Sequence, residues 1–190
     1  MEYLLIFIGA VFVNNIVLAQ FLGICPFLGV SKKTDTAIGM SGAVAFVMVI
    51  ATVFIYIVQT LILVPFQIEF LRTIVFILII AALVQSIEII LKKVSPPLFR
   101  ALGIFLPLMT TNCAIMGVVI LVVQREMALF QSVVFSLSTA IAFGLALILF
   151  TGIREQMALV RVPKGMEGMA IALLTAGLLS MAFMGFAGMV

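Results

Sequence analysis

Residues 36–68 read TAIGMSGAVAFVMVIATVFIYIVQTLILVPFQI, a run without a single charged side chain. At a helical rise of about 1.5 Å per residue, this run exceeds the ~20 residues that cross a hydrocarbon core of about 30 Å. A backbone inside lipid must satisfy its own hydrogen bonds, and a helix does so within one segment. The run therefore predicts a membrane-spanning α-helix.

Five further apolar runs of the same character follow or precede it. They cover residues 3–31, 73–87 with a continuation past Glu88 to 91, 101–124, 127–153 and 168–190. Hydrophobic residues make up 66% of the 190-residue chain and charged residues only 9%, whereas a soluble domain carries about 25% charged residues. We therefore expect an all-α integral membrane protein with six transmembrane helices in one membrane domain, residues 1–190, surrounded by lipid.

The basic residues predict the orientation of these helices. If successive loops alternate between the two sides, eight Lys and Arg residues lie on one side and two on the other. The eight are Lys32, Lys33, Lys92, Lys93, Arg100, Arg154, Arg161 and Lys164, and the two are Arg72 and Arg125. The positive-inside rule then places loops one, three and five in the cytoplasm and both termini on the outer face of a bacterial inner membrane.

The absence of histidine restricts the chemistry of the chain. Without an imidazole there is no histidine ligand for zinc or haem and no histidine base for a hydrolytic triad. The net charge of +3 comes from basic residues in short loops, as membrane topology requires, so we expect no nucleic-acid partner.

Each half of the chain contains one cysteine in a related setting. Residues 25–30 read CPFLGV and residues 113–118 read CAIMGV, which gives C-x-x-x-G-V twice, 88 residues apart. A division into residues 1–93 and 96–190 assigns three spans to each half, and an odd number of spans inverts the second half relative to the first. The sequence thus predicts two inverted three-helix repeats.

Helix-breaking residues accompany both cysteines. Gly23 and Pro26 flank Cys25, and Pro107 together with residues 110–112, Thr-Thr-Asn, precedes Cys113. The first and fourth helices are therefore expected to be broken. Cys113 is predicted near the bilayer midplane, and only unwinding of the first run would bring Cys25, seven residues before Lys32, to the same depth.

Three roles for the cysteines remain open from the residues alone. Each can be a small buried hydrophobic side chain. A disulfide would require oxidation deep in a membrane and fits the pattern poorly. Iron–sulfur clusters usually bind four thiolates, so this chain can supply half a site and needs a partner for the rest. That arithmetic makes a cluster shared between two protein chains the functional hypothesis.

Longer motifs carry a resemblance to a known family. Residues 21–33, FLGICPFLGVSKK, and 102–114, LGIFLPLMTTNCA, together with 152–155, GIRE, and the tail 170–188, resemble the A subunit of the Rnf electron-transport complex. The E subunit of the sodium-pumping NADH:quinone oxidoreductase, Nqr, shares the pattern and is the alternative within the same family. The resemblance extends over the whole chain.

The resemblance implies a function that composition does not. It implies a subunit of a translocase complex that passes electrons between ferredoxin and NAD and couples this flow to Na⁺ or H⁺ translocation. It further implies that Cys25 and Cys113 ligate one [2Fe-2S] cluster shared with a homologous, oppositely oriented E-type subunit. Flavin, other Fe-S and NAD sites are expected in other subunits, so this chain would be an electron-transfer subunit without a catalytic nucleotide or flavin site.

Polar residues within the runs are weaker candidates. Asn14, Gln85 and Glu88 form a candidate ion path, because Na⁺ prefers oxygen ligands and polar groups inside a membrane are costly. The competing interpretation gives Asn14 a packing role and pairs Glu88 with Lys92, four residues later on the same helix. The alternative function of a different class is a small inverted-repeat solute transporter, whose broken helices would bind the solute.

Overall fold

The computed structural model describes residues 2–31, 33–66, 69–94, 106–160 and 168–185, and within these ranges every regular element is helical. Among the residues of the sequence analysis, Lys32, Arg100, Arg161 and Lys164 lie outside the described residues, as does the junction between the two proposed repeats. The expectation of an all-helical protein is confirmed for the described part of the chain.

Eight helices follow one another along the described ranges. They are α1 (Glu2–Ile8), α2 (Ile24–Val30), α3 (Thr34–Val58), α4 (Arg72–Val94), α5 (Leu106–Thr110), α6 (Cys113–Gln124), α7 (Leu129–Ala158) and α8 (Met169–Met184). A π-helical turn, Gly9–Val13, extends α1. A second π-helical turn, Gln59–Leu63, and a last turn, Val64–Phe66, extend α3, and a 3₁₀ turn, Glu69–Leu71, leads into α4.

Three of these helical stretches are long and apolar enough to cross a membrane. They are Thr34–Leu63, Arg72–Ile90 and Leu129–Ala158, and two shorter apolar stretches are Leu108–Gln124 and Met169–Met184. Large apolar side chains such as Phe46, Leu78 and Met181 are exposed on their outer surfaces. Such surfaces suit lipid because lipid solvates apolar side chains that water does not.

The core is centred on the pair α3 and α7, which make the most extensive helix contact among the described elements. A Cβ at Gly144 would lie 3.2 Å from the Ser41 Cβ, so a glycine allows the two helices to approach closely here. Farther along, Thr52 Oγ1 donates a hydrogen bond of 3.0 Å to Ser136 Oγ, and both residues are buried. The helices are thus joined by close packing and by a satisfied polar pair.

Contacts at the helix ends show which segments share an end of the bundle. The Thr34 backbone N–H, at the start of α3, donates to Glu155 Oε1 at the end of α7. At the opposite end, Arg72 and Glu126 line one cleft, and Leu5 and Arg125 line another. Because α3 begins where α7 ends, the two helices run antiparallel.

The first and fourth apolar runs are both interrupted, as expected. The first is non-helical between Asn14 and Gly23, and the fourth is interrupted at Thr111 and Asn112. Pro26 lies inside the first turn of α2, where the missing N–H of a proline removes no helical hydrogen bond.

Candidate functional site

Both cysteines occupy the first turn of a helix that follows a break. Cys25 is the second residue of α2, after Gly23 at the N-cap, and Cys113 is the first residue of α6, after Asn112 at the N-cap. The Asn112 side chain accepts a hydrogen bond of 3.0 Å from the Ala114 backbone N–H. Asparagine is a favoured N-cap because it satisfies a free N–H of the first turn, so the sequence itself determines where α6 begins.

The two breaks meet through the sulfur of Cys113. The Gly23 backbone N–H donates a hydrogen bond of 2.9 Å to Cys113 Sγ, across 90 residues of sequence. Gly23 and Cys25 are two residues apart, a distance that the chain spans in about 7 Å at most. The structure therefore brings the two cysteine-bearing segments together, and the first run is unwound between Asn14 and Gly23.

Gly23 is required at this contact for two reasons. Its φ of +84° is in the left-handed region, which other residues rarely adopt. A Cβ there would also lie 2.9 Å from Phe143 Cε2 and 3.0 Å from the Ala114 Cβ. The position thus needs a residue without a side chain, so that its N–H can reach the sulfur.

The glycines of the two C-x-x-x-G patterns meet leucines of the opposite segment. A Cβ at Gly117 would lie 2.8 Å from Leu22 Cδ1, and a Cβ at Gly29 would lie 3.8 Å from Leu108 Cδ2. A methyl group at Gly117 would force the end of the Leu22 side chain to move, whereas the approach at Gly29 is ordinary contact. Each glycine thus lies against the segment that carries the other cysteine.

The two thiols are free and differ in their surroundings. Cys25 is exposed, and Cys113 is half-buried. Cys113 lines an open cleft of about 440 Å³ between α4 and the α5–α6 break, with Asn112, Thr111 and Ile80 among the lining residues. The interpretation of both cysteines as small buried hydrophobic residues is wrong for Cys25, because the fold leaves this residue on its surface.

The unwound segment of the first run is held by buried hydrogen bonds. Asn15 Nδ2 donates to the Ala142 carbonyl of α7 at 3.1 Å, and Asn15 Oδ1 accepts from the Val17 N–H at 3.1 Å. From α8, Ser180 Oγ donates to the Leu18 carbonyl at 2.6 Å. These bonds satisfy backbone groups that a continuous helix would have paired. Specific hydrogen bonds to α7 and α8 therefore stabilise the break.

Two adjacent residues of α7 hold the junction between α2 and α3. The Arg154 guanidinium donates to the Leu28 carbonyl at 2.9 Å and to Ser31 Oγ at 2.7 Å, and Glu155 accepts from Thr34 N–H at 3.0 Å. A cation at a helix C-terminus and an anion at a helix N-terminus both match the helix dipole. The GIRE motif therefore fixes the end of the helix that carries Cys25.

The residues of the candidate ion path lie on separate parts of the fold. Asn14 is exposed and lines a cleft of about 280 Å³ with Gln20 and Arg125. Gln85 is exposed and Glu88 half-buried, three residues apart on α4, and neither lines that cleft. The ion path stays a prediction. Across the described ranges, no three His, Cys, Asp or Glu side chains come together at a position that could hold a metal ion.

Comparison with known proteins shows the family of the chain. A family model described as "Rnf-Nqr subunit, membrane protein" matches residues 3–190. The chain belongs to this family. The resemblance that the sequence motifs carry is thereby confirmed, and the match covers nearly the whole chain.

Individual members of the Rnf–Nqr family are similar along their full length. The chain is 56% identical over 187 residues to the A subunit of the ion-translocating oxidoreductase complex of Syntrophotalea carbinolica, which covers 98% of this chain and 97% of that protein. It is 54% identical over 189 residues to the A subunit of the Na⁺-translocating ferredoxin:NAD⁺ oxidoreductase complex of Acetobacterium woodii, covering 100% and 98%. It is also 54% identical to the A subunit of the ion-translocating oxidoreductase complex of Pseudoalteromonas translucida, covering 100% of this chain and 98% of that protein. The resemblance to A subunits is thus confirmed.

Two features of the site were not found from the sequence. The Gly23 N–H was not recognised as a donor to sulfur, and the Asn112 side chain was not recognised as an N-cap. A usable signal was the placement of glycine two residues before one cysteine and asparagine one residue before the other, since both residue types favour helix N-caps.

Proposed function

We propose that this chain is a membrane component of an ion-translocating ferredoxin:NAD oxidoreductase and carries electrons on an intramembrane [2Fe-2S] cluster shared with a homologous subunit. The observation that carries the proposal is the hydrogen bond between the Gly23 N–H and Cys113 Sγ, which draws two cysteine-bearing breaks together. Coupling to Na⁺ or H⁺ translocation belongs to the same proposal, since a relative over half identical is named as Na⁺-translocating.

The ligands of the chain fit half of such a cluster. The chain has two cysteines and no histidine, and a [2Fe-2S] cluster is usually held by four thiolates. The exposed Cys25 and the open cleft beside Cys113 leave both residues accessible to a second protein chain. The buried amide nitrogen of Asn112, beside Cys113, has no hydrogen-bond partner, which also suits a site completed by another component.

A bound cluster would supply a one-electron carrier within the membrane. The chain's own residues would hold and orient it. Cys25 and Cys113 are the ligands that we assign, and the Gly23 N–H supports negative charge on the Cys113 sulfur. Ile77 and Ile80 of α4 give the same cleft an apolar lining.

The partner that we propose is homologous and oppositely oriented, with two cysteines of its own. Together the two chains would offer four thiolates at their interface, which is the number that the cluster needs. We assign flavin, NAD and further Fe-S sites to other subunits of the complex. This chain would then serve for electron transfer within an oxidoreductase.

We further propose that the chain crosses a bacterial inner membrane six times as two inverted three-helix repeats. Two contacts support this proposal. The start of α3, next to Lys33, lies beside Glu155 at one end of the bundle, and Arg72 lines a cleft with Glu126 at the other end. The paired breaks and the contacts of Gly29 and Gly117 with opposite segments also agree with two related halves. The charge bias places both termini on the outer face.

The alternative functions receive less support. The named relatives are A subunits, which disfavours an E-type subunit of Nqr. A solute transporter would also use broken helices, yet membership of the Rnf–Nqr family and the convergence of the two cysteine segments favour electron transfer.

The test is to measure iron and acid-labile sulfide per protein. The chain is purified alone and after coexpression with the homologous subunit of its complex. We expect little iron in the isolated chain and close to two iron atoms per heterodimer, because one chain supplies only two of about four thiolates. A full cluster in the isolated monomer would contradict the shared site, and an iron-free complex would contradict the function.

A further inference from the structure

Among the described residues, the side-chain amide of Asn112 is buried with an unsatisfied donor. Asn112 is 2% exposed, and its Nδ2 has no hydrogen-bond partner. Its Oδ1 accepts from the Ala114 N–H. If Oδ1 and Nδ2 were interchanged, Nδ2 would face the Ala114 N–H, which is also a donor. The cap therefore determines the orientation of the amide.

Capping alone does not account for asparagine at this position. Serine and aspartate cap helices about as well and have no amide nitrogen to bury. A buried donor without a partner is unfavourable, because it has lost its hydrogen bonds to water and gained none in return. The amide therefore fits a site in which something outside the chain accepts its hydrogen bond. Asn112 lines the same open cleft as Cys113, its neighbour in sequence.

We infer that Asn112 Nδ2 donates a hydrogen bond to a sulfur atom of the cluster ligated by Cys113 and thereby raises the reduction potential of that cluster. This inference rests on the proposed function. Reduction adds negative charge to the sulfur atoms, and N–H donors stabilise that charge, so hydrogen bonds to sulfur favour the reduced form. Asn112 is thus a tuning residue that acts beside the ligand.

The Gly23 N–H makes the corresponding contact from the other half of the chain. It already donates to Cys113 Sγ at 2.9 Å. The two donors belong to different breaks, because Gly23 caps α2 and Asn112 caps α6. The potential of the cluster would then depend on the packing of the two halves against each other.

The experiment uses the coexpressed complex with three single variants. Asn112→Leu has nearly the size of asparagine and removes the donor without adding charge. Asn112→Asp keeps the capping oxygen and also lacks the donor. The matched control is Gln124→Glu, the same amide-to-carboxylate change at the exposed far end of α6, about 18 Å along the helix.

Two quantities are measured, the midpoint potential by EPR-monitored redox titration and the exchangeable-proton hyperfine couplings of the reduced cluster. We expect both Asn112 variants to shift the potential in the negative direction and to lose one exchangeable-proton coupling. The Gln124→Glu complex should keep the wild-type potential and every coupling. Asn112→Leu adds no charge but loses the cap as well as the donor, whereas Asn112→Asp keeps the cap, so a coupling that is lost in both variants reports the donor.

The outcomes separate this inference from the proposed function. A wild-type complex without iron would overturn both. A wild-type cluster whose potential and couplings are unchanged in Asn112→Leu would overturn only the inference. If Asn112→Leu does not assemble, the coupling in Asn112→Asp decides, since that variant keeps the cap. Loss of the coupling in Asn112→Asp supports the inference. Retention of the coupling overturns the inference, because the coupled proton then belongs to another donor.

Discussion

Cys25 and Cys113 differ in exposure, and this difference sharpens the test of their role. Cys25 is exposed and Cys113 half-buried, so neither contributes strongly to the apolar core. We expect Cys25→Ser and Cys113→Ser to abolish electron transfer and coupled ion movement while the complex still assembles, because a hydroxyl is a poor ligand where iron prefers a soft thiolate. Each single change should be nearly as damaging as both, since an incomplete ligand set loses the cluster.

Alanine variants at the same positions provide the control. Removing a sulfur atom from these sites should change the free energy of unfolding by less than about 1 kcal/mol. Purified Cys113→Ala complex is therefore expected to be folded but depleted of iron. An active Cys113→Ala complex with normal iron would contradict ligation by Cys113 and leave this residue only a packing role.

Gly23 is the other residue on which the site depends. We expect Gly23→Ala to destabilise the protein by at least about 1–2 kcal/mol, because its φ of +84° disfavours any side chain. The added methyl group would also press on Phe143 and Ala114. Thermal denaturation in detergent measures the loss.

Gly9→Ala is the matched control for that change. Gly9 lies in the π-helical turn after α1, and a Cβ there would have no heavy atom within 4 Å. We expect this variant to be neutral or slightly stabilising, since alanine favours helix over glycine. Equal melting temperatures for the two variants would contradict the tight packing at Gly23.

At the scale of elements, α2 depends on α7 for the position of its C-terminus. Arg154 donates to the Leu28 carbonyl and to Ser31 Oγ, and Ser31 is buried. We expect Arg154→Met, which keeps most of the side-chain length, to cost about 1–3 kcal/mol because these acceptors lose a charged donor. Displacement of α2 should also lower the iron content of the complex.

Gln156→Met controls for the loss of polarity on the same helix. Gln156 is exposed two residues farther along α7, and we expect its replacement to change stability by no more than about 0.5 kcal/mol. The measurements are the melting temperature and iron per complex. If Arg154→Met keeps the wild-type melting temperature, Arg154 does not hold α2 in place.

At the scale of the whole molecule, the fold places basic residues at the two opposite ends of the helix bundle. Lys33 and Arg154 lie near one end of the bundle, through the contacts of Thr34 and Ser31, and Arg72 and Arg125 lie at the other. We expect the first end in the cytoplasm and both termini outside, because basic residues are retained on the cytoplasmic side. Reporter fusions at the two termini, and single cysteines introduced at Lys33 and Arg72 in a cysteine-free chain, measure this orientation.

Each result has a distinct meaning for the topology. A membrane-impermeant thiol reagent applied from outside should label a cysteine at position 72 and not one at position 33. Opposite labelling would reverse the orientation while keeping the fold. A reporter result that differs between the two termini would exclude an even number of spans.

The order of residues along the chain was sufficient to predict its class and the presence of its breaks. An apolar run such as 36–68 leaves the backbone no choice but helix in lipid, because this is a local requirement for hydrogen bonds. Gly23 and Asn112 likewise precede the first turn of a helix. Gly23 does so through its left-handed backbone conformation, and Asn112 does so through its side-chain oxygen, which caps the helix. The count of two cysteines and the family motifs are also properties of the sequence alone.

Only the tertiary structure decided how these local features combine. The bond from Gly23 to Cys113 joins residues 90 positions apart, and its formation depends on the packing of α2, α6 and α7 together. Pro26 proved compatible with helix because the first turn of α2 happens to begin at Ile24. The orphaned amide of Asn112 arises in the same way, since burial is a property of the assembled fold and a residue's neighbours in sequence do not determine it.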